Sequence, residues 1–71
     1  MPYVDIKLIE GVFDTTQKEA MITRVTETMV DIEGEALRPF TVVTVEEVRS
    51  GSWGVGGKAL TTQDVKDLQA S

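Results

Sequence analysis

The chain contains no cysteine and no histidine. The first absence excludes disulfides and thiolate nucleophiles. The second removes the commonest metal ligand and the commonest general base at neutral pH. Carboxylates remain as potential metal ligands, but no Asp/Glu spacing resembles an EF-hand loop, so no metal is expected. Basic residues are few: seven Lys and Arg against twelve Asp and Glu, a formal net charge of -5. They are scattered rather than gathered into a stripe, which argues against a nucleic-acid partner. Long apolar runs are missing as well, and nothing approaches the roughly 20 residues of a membrane-spanning helix. The start, Met-Pro-Tyr-Val-Asp, lacks the basic and apolar regions of a signal peptide, so the expected location is cytoplasmic. Glycines cluster near Gly51–Gly57, yet no GxGxxG or Walker pattern accompanies them, and no cofactor is expected.

What remains is a chain of 71 residues, read as a single domain over residues 1–71, with 41% hydrophobic content. A domain this small buries a thin core and needs a staple; with disulfides and metals excluded, oligomerisation is the staple left. From Tyr3 to Glu10, Val4, Ile6 and Leu8 alternate with Tyr3, Asp5 and Lys7, the period of a strand that Gly11 ends. Asp14-Thr-Thr-Gln17 reads as a capping box opening a helix. Met21, Ile22, Val25, Met29 and Ile32 then form one apolar stripe, expected to be core, and Gly34 supplies the stop. Pro39 fits the start of a second strand over Phe40–Val45, rich in β-branched residues. The Ser50–Gly57 stretch is a loop with room for a short hairpin. Thr62–Leu68 suggests a C-terminal helix with Val65 and Leu68 facing inward. The predicted fold class is therefore α/β: a single β-α-β unit with parallel strands and a short C-terminal hairpin and helix. One helix covers one face of a two-stranded sheet, so a second copy is needed to complete the structure.

The order Met1-Pro2, strand, Glu10-Gly11, Asp14-x-x-Gln17-Lys18, long helix, β-branched strand and Gly51-x-Trp53-Gly54-Val55-Gly56-Gly57 resembles 4-oxalocrotonate tautomerase and the wider tautomerase superfamily. The likeness extends to about Leu60. It implies a tautomerase-like fold and a homohexamer built as a trimer of dimers. It further implies a small carbonyl substrate of the kind met in aromatic compound catabolism, and a processed N-terminal proline acting as base. Pro2 matches that proline, and Trp53 stands where the family usually has a pocket phenylalanine. The family's two substrate-binding arginines correspond to Val12 and Val42, so a less charged substrate than a dicarboxylate is implied. Arg38, Arg49 and Lys7 are the candidate replacement cations.

The chemistry of Pro2 can also be read without the family. Removal of methionine from a Met-Pro start leaves a secondary amine. An ordinary α-amino group titrates near pH 8, and burial in an apolar pocket lowers that value. A neutral amine can then take a proton from a carbon beside a carbonyl and return it elsewhere. On its own a proline here simply stiffens a strand start, and Trp53, the single tryptophan, could serve as packing. The expected function is a tautomerase or isomerase with Pro2 as base, Trp53 as pocket wall and one of Arg38, Arg49 or Lys7 at the enolate oxygen. Its rivals are a non-catalytic subunit of a hetero-oligomer and a hydratase or dehalogenase in which Pro2 stays protonated.

Overall fold

A computed structural model describes residues 1–71. Strand β1 (Tyr3–Ile9) and strand β2 (Val42–Val48) pair in parallel, in a register from Tyr3 opposite Val42 to Ile9 opposite Val48. Helix α1 (Thr15–Glu33) supplies the crossover, giving the expected β-α-β unit. A hairpin of β3 (Trp53–Val55) and β4 (Lys58–Leu60) follows, then helix α2 (Thr62–Ala70). Gly56 and Gly57 both have positive φ, 59° and 84°, the combination a two-residue hairpin turn requires.

The helix boundaries follow from local chemistry. The Asp14 carboxylate accepts the Gln17 N–H at 2.8 Å, and the Gln17 side chain accepts the Asp14 N–H at 2.9 Å. Gly34, at φ 101°, ends α1 and donates its N–H to the Val30 carbonyl at 2.8 Å. In α2, Thr61 and Asp64 repeat the reciprocal cap. Thr62 fastens that helix to the far end of β1: its hydroxyl donates to the Glu10 carbonyl at 2.6 Å and its N–H to the Ser50 hydroxyl at 2.8 Å.

The structure corrects the second strand. Pro39 and Phe40 lie in a 3-10 helix spanning Glu35–Phe40, and the strand starts at Val42 and continues to Val48. The fixed φ of Pro39 suits a 3-10 turn as well as a strand start. Here the Arg38 side chain holds the turn closed by binding Glu27 and Glu35. The strand runs on through Glu46 and Glu47 because lysines answer both carboxylates: Lys7 bonds Glu46 and Lys18 bonds Glu47.

The apolar stripe is also corrected. Only Ile9 and Val30 are buried; Ile22 and Ile32 are 39% and 77% exposed, and Leu68 of α2 is 67% exposed. Alternation puts Val43, Val45 and Glu47 on one face of β2, and the Lys18–Glu47 bond shows that α1 covers that face. At the other end of the helix, the Thr41 hydroxyl donates to Glu33. These two ties fix the rotation of α1. Since each residue advances about 100° around a helix, Ile32 turns away from the side that Glu33 presents to β2.

Replacing Asp14 with Ala deletes a side-chain acceptor of the α1 cap. The expected cost is about 1 kcal/mol. For a domain of this size that is a fall in Tm of about 4–8 °C, read by circular dichroism at fixed protein concentration. An unchanged Tm would show that the cap contributes nothing.

Candidate functional site

Parallel pairing sorts the candidate residues by sheet end. Pro2 is half-buried and immediately precedes β1. Its carbonyl accepts the Val42 N–H at 3.1 Å, so the ladder reaches Pro2 and places it opposite Thr41. Helix α1 runs back along the sheet and ends at Glu33 on this side, and the 3-10 helix bearing Arg38 leads into β2 here. Pro2, Glu33, Arg38, Thr41 and Val42 therefore share one end. Around Pro2 the exposed apolar groups are Tyr3, Phe40 and Val42.

Trp53 and Arg49 belong to the other end. Both follow Val48, the last residue of β2, and seven strand residues at about 3.3 Å each separate them from Pro2, roughly 20 Å. Val12, just after β1, is at that end too. One chain therefore does not bring Trp53 against Pro2. Trp53 is half-buried in the hairpin opposite Leu60. Arg49 is exposed and makes no ion pair.

The other candidate cations are already engaged. Arg38 binds both Glu27 oxygens, at 2.6 and 3.0 Å, and both Glu35 oxygens, at 2.6 and 3.3 Å. Hydrogen bonds donated to Glu27, and then to Glu35, hold its guanidinium protonated well above the ordinary arginine range. Lys7 lies mid-strand on the face away from α1, 2.5 Å from Glu46 and 3.0 Å from Asp5. Those partners, Glu46 first, push its ammonium pKa up. The same face carries a short polar chain: Thr44 donates to Asp5 at 2.9 Å, so its oxygen accepts from the Tyr3 hydroxyl at 3.2 Å.

Sequence reasoning missed Glu33 and Thr41. Glu33 accepts the Thr41 hydroxyl with one carboxylate oxygen, while the other is buried without a partner. A signal was present. Asp31 and Glu33 put two carboxylates in the last turn of α1, where no basic residue stands. The helix dipole disfavours negative charge there, so Glu33 sits against the local preference.

The chain matches the family model described as "Tautomerase enzyme" over residues 2–63. It is 36% identical over 61 residues to "Probable tautomerase K2" of Dickeya dadantii, covering 86% of this chain and 90% of that protein. It is 38% identical over 64 residues to 2-hydroxymuconate tautomerase of Bacillus subtilis, covering 90% of this chain and 100% of the relative. Among solved structures, YwhB, a homologue of 4-oxalocrotonate tautomerase, matches with a TM-score of 0.73 at 33% identity. The match covers 89% of this chain and 97% of that one.

The ion pairs predict an acid limit to stability. Lys18, and secondly the Gly11 N–H, hold the Glu47 carboxyl below its ordinary value of 4.5; Arg38 lowers Glu27 likewise. A depressed carboxyl stabilises the fold fully above its unfolded value and loses that contribution as pH falls through the folded one. Tm should be flat at neutral pH and fall below about pH 4.5. In the Glu27→Gln/Glu47→Gln double variant the neutral-pH Tm should be lower and the acid slope shallower. Thermal melts between pH 3 and 7 test this, and an unaltered slope would remove these pairs from the account.

Proposed function

The chain belongs to the tautomerase family, and on that premise we propose that it moves a proton within a small enolisable 2-oxo acid or dienol, with Pro2 as general base after Met1 is removed. Family membership supports isomerase-type chemistry. The observation that carries the assignment to Pro2 is its setting: a half-buried residue anchored by its carbonyl to Val42, behind a Met1 that is 87% exposed and open to cleavage. No histidine is present to act instead. With a 2-oxo acid the Pro2 amine takes a proton from the carbon beside the carbonyl, the electron pair moves to the oxygen as an enolate, and the conjugate acid of Pro2 returns the proton to that oxygen. With a dienol it takes the hydroxyl proton and returns it at a carbon of the conjugated dienolate.

The site needs a second copy. Trp53 lies about 20 Å along the sheet from Pro2, so a Trp53 wall for Pro2 comes from a neighbouring subunit, and Arg49 of that neighbour comes with it. Arg49 is the candidate cation left free to steady the enolate oxygen, Arg38 and Lys7 being held by carboxylates. The exposed Tyr3, Ile32, Phe40, Val42, Val55 and Leu68 offer the apolar surface for a homo-oligomer, a hexamer by family resemblance. Residues 1–71 act as one unit in this arrangement. No helix is long and apolar enough to cross a membrane, and a cytoplasmic location fits the reading.

Val42 beside Pro2 and Val12 at the far end offer no charge to a second carboxylate. An aryl or alkyl 2-oxo acid, or its enol, should therefore turn over better than a dienol diacid.

Intact-mass analysis paired with an ultraviolet ketonisation assay tests the base. Activity should scale with the fraction lacking Met1, and a chain keeping Met1 should assemble but be inactive, because its Pro2 nitrogen is an amide. Full activity with Met1 retained sinks the mechanism. An active processed chain that hydrates or dehalogenates instead would reassign Pro2 as an acid, and a chain active only with a second protein would make it a complementary subunit. Sedimentation at micromolar concentration should show an oligomer; a folded 7.8 kDa species would refute that part.

A further inference from the structure

We propose that Glu33 is the positioning residue of the Pro2 amine, its free carboxylate oxygen accepting the N–H that removal of Met1 creates. The inference rests on the reading of Pro2 as the proton-transfer group and goes beyond it by naming what holds that group.

Glu33 Oε2 is the one buried side-chain oxygen or nitrogen in the chain without a hydrogen-bond partner. A buried carboxylate oxygen without a donor is costly, and native folds rarely leave one so. The other oxygen, Oε1, is held by the Thr41 hydroxyl, so the carboxylate is aimed rather than free. Thr41 itself stands opposite Pro2, one step before the Tyr3–Val42 pair, and the Val42 N–H bond to the Pro2 carbonyl confirms the pairing there. Opposite residues of neighbouring strands share a face and lie about 4.8 Å apart. A group bonded to Thr41 on the helix-covered side is thus a neighbour of Pro2.

The donors nearby are otherwise assigned. Arg38 is held by Glu27 and Glu35, Lys7 by Asp5 and Glu46, and the Tyr3 hydroxyl by Thr44. With Met1 attached, the Pro2 nitrogen carries no hydrogen and cannot donate. Cleavage converts it to a secondary amine with one N–H, or two once it takes a proton. Processing therefore supplies the donor that Oε2 lacks.

The chemistry follows from charge. The substrate proton passes to the Pro2 nitrogen, whose lone pair forms the new N–H bond; Glu33 accepts a hydrogen bond and transfers nothing. An adjacent carboxylate favours the ammonium form and raises the amine's pKa. It also fixes one N–H, which turns the remaining lone pair outward. The charged and titratable groups set against Pro2 are Glu33 from α1, Arg38 with Glu35 from the 3-10 helix, and Tyr3 and Asp5 from β1. Glu27 of α1 bonds Arg38, and the adjoining stretch of β2, Thr41–Val43, contributes none. Arg38 is neutralised by its two carboxylates, and Tyr3 and Asp5 lie on the opposite face of the sheet, so within the chain Glu33 is the dominant influence; in the proposed assembly the neighbouring copy's Arg49, a cation that lowers the amine's pKa, opposes it.

The test is a nitrogen-15 NMR titration of Pro2 in processed, proline-labelled protein; Pro39, a peptide nitrogen, does not titrate. In Glu33→Gln the Pro2 pKa should fall by about one unit, and the ascending limb of kcat/KM should move to lower pH equally. Thr41→Val, which frees the carboxylate without deleting it, should give a smaller fall in the same direction and decides the matter if Glu33→Gln does not fold. Glu19→Gln, a matched charge change at an exposed site in the first half of α1, should leave the titration unmoved. An unmoved Pro2 pKa in folded Glu33→Gln, or an equal fall in Glu19→Gln, overturns the proposal. Because the titration needs no turnover, a Glu33-dependent pKa in a chain inactive on every carbonyl compound would support this inference while refuting the catalytic reading.

Discussion

Parallel pairing of β1 with β2 dictates where every candidate group can act. A parallel pair puts both strand starts at one end, so α1 must return the chain to the side from which it came. Pro2, the end of α1, the 3-10 helix and the start of β2 meet there as a consequence. The loop after β1, the glycine-rich hairpin and the cap of α2 meet at the opposite end. Had the strands been antiparallel, Trp53 would have followed β2 back toward Pro2 and one chain could have formed the pocket alone. On the proposed assignment, the pairing separates the Pro2 amine from a Trp53 wall, and the site then requires assembly.

The same constraint explains the distribution of ion pairs. A two-stranded sheet with one covering helix buries little, and here only Ile9 and Val30 are withdrawn from solvent. The Lys18–Glu47 and Thr41–Glu33 bonds, one at each end, set the rotation of α1 where a larger core would have set it by packing. Bonds of this sort contribute little: Lys18–Glu47 is a part-exposed ion pair, a class that adds at most about 1 kcal/mol, and Thr41–Glu33 is a part-buried hydrogen bond. They orient the elements; the exposed Ile32, Phe40, Val42 and Leu68 leave apolar surface that a second copy would cover on the proposed reading.

Legibility in the sequence followed the range of the interaction. Features set by neighbours within about four residues were readable: the reciprocal cap of Asp14 with Gln17, the stop at Gly34, the alternation of β1 and the glycine-dense loop with room for a hairpin. The start of β2 was not, because Pro39 suits either a 3-10 turn or a strand entry and the choice is made by Arg38 reaching back to Glu27. The apolar stripe was drawn from spacing alone, which cannot register that Lys18 and Glu33, both charged, face the sheet. The β-α-β order was legible since each element carries its own period. Of the proposed site, the proline is visible through its position, whereas the distance between Pro2 and Trp53 depends on register and lies in no local pattern.

Glu33 shows how a residue that violates a local rule can be explained by its surroundings. At the end of α1 it works against the helix dipole, and its side chain leaves one oxygen buried and unpaired. A lysine or glutamine there would serve the helix better. A carboxylate is the better choice if the group beside it alternates between a neutral amine and an ammonium, because only a fixed negative charge distinguishes the two states strongly. In a chain without histidine, an N-terminal amine, ordinarily titrating near pH 8, is a group through which proton transfer can run near neutrality, and burial and adjacent charge together set its pKa. On that proposal the residue unfavourable for the helix is the one that tunes the amine, and the placement of both at the same sheet end follows from the parallel pairing.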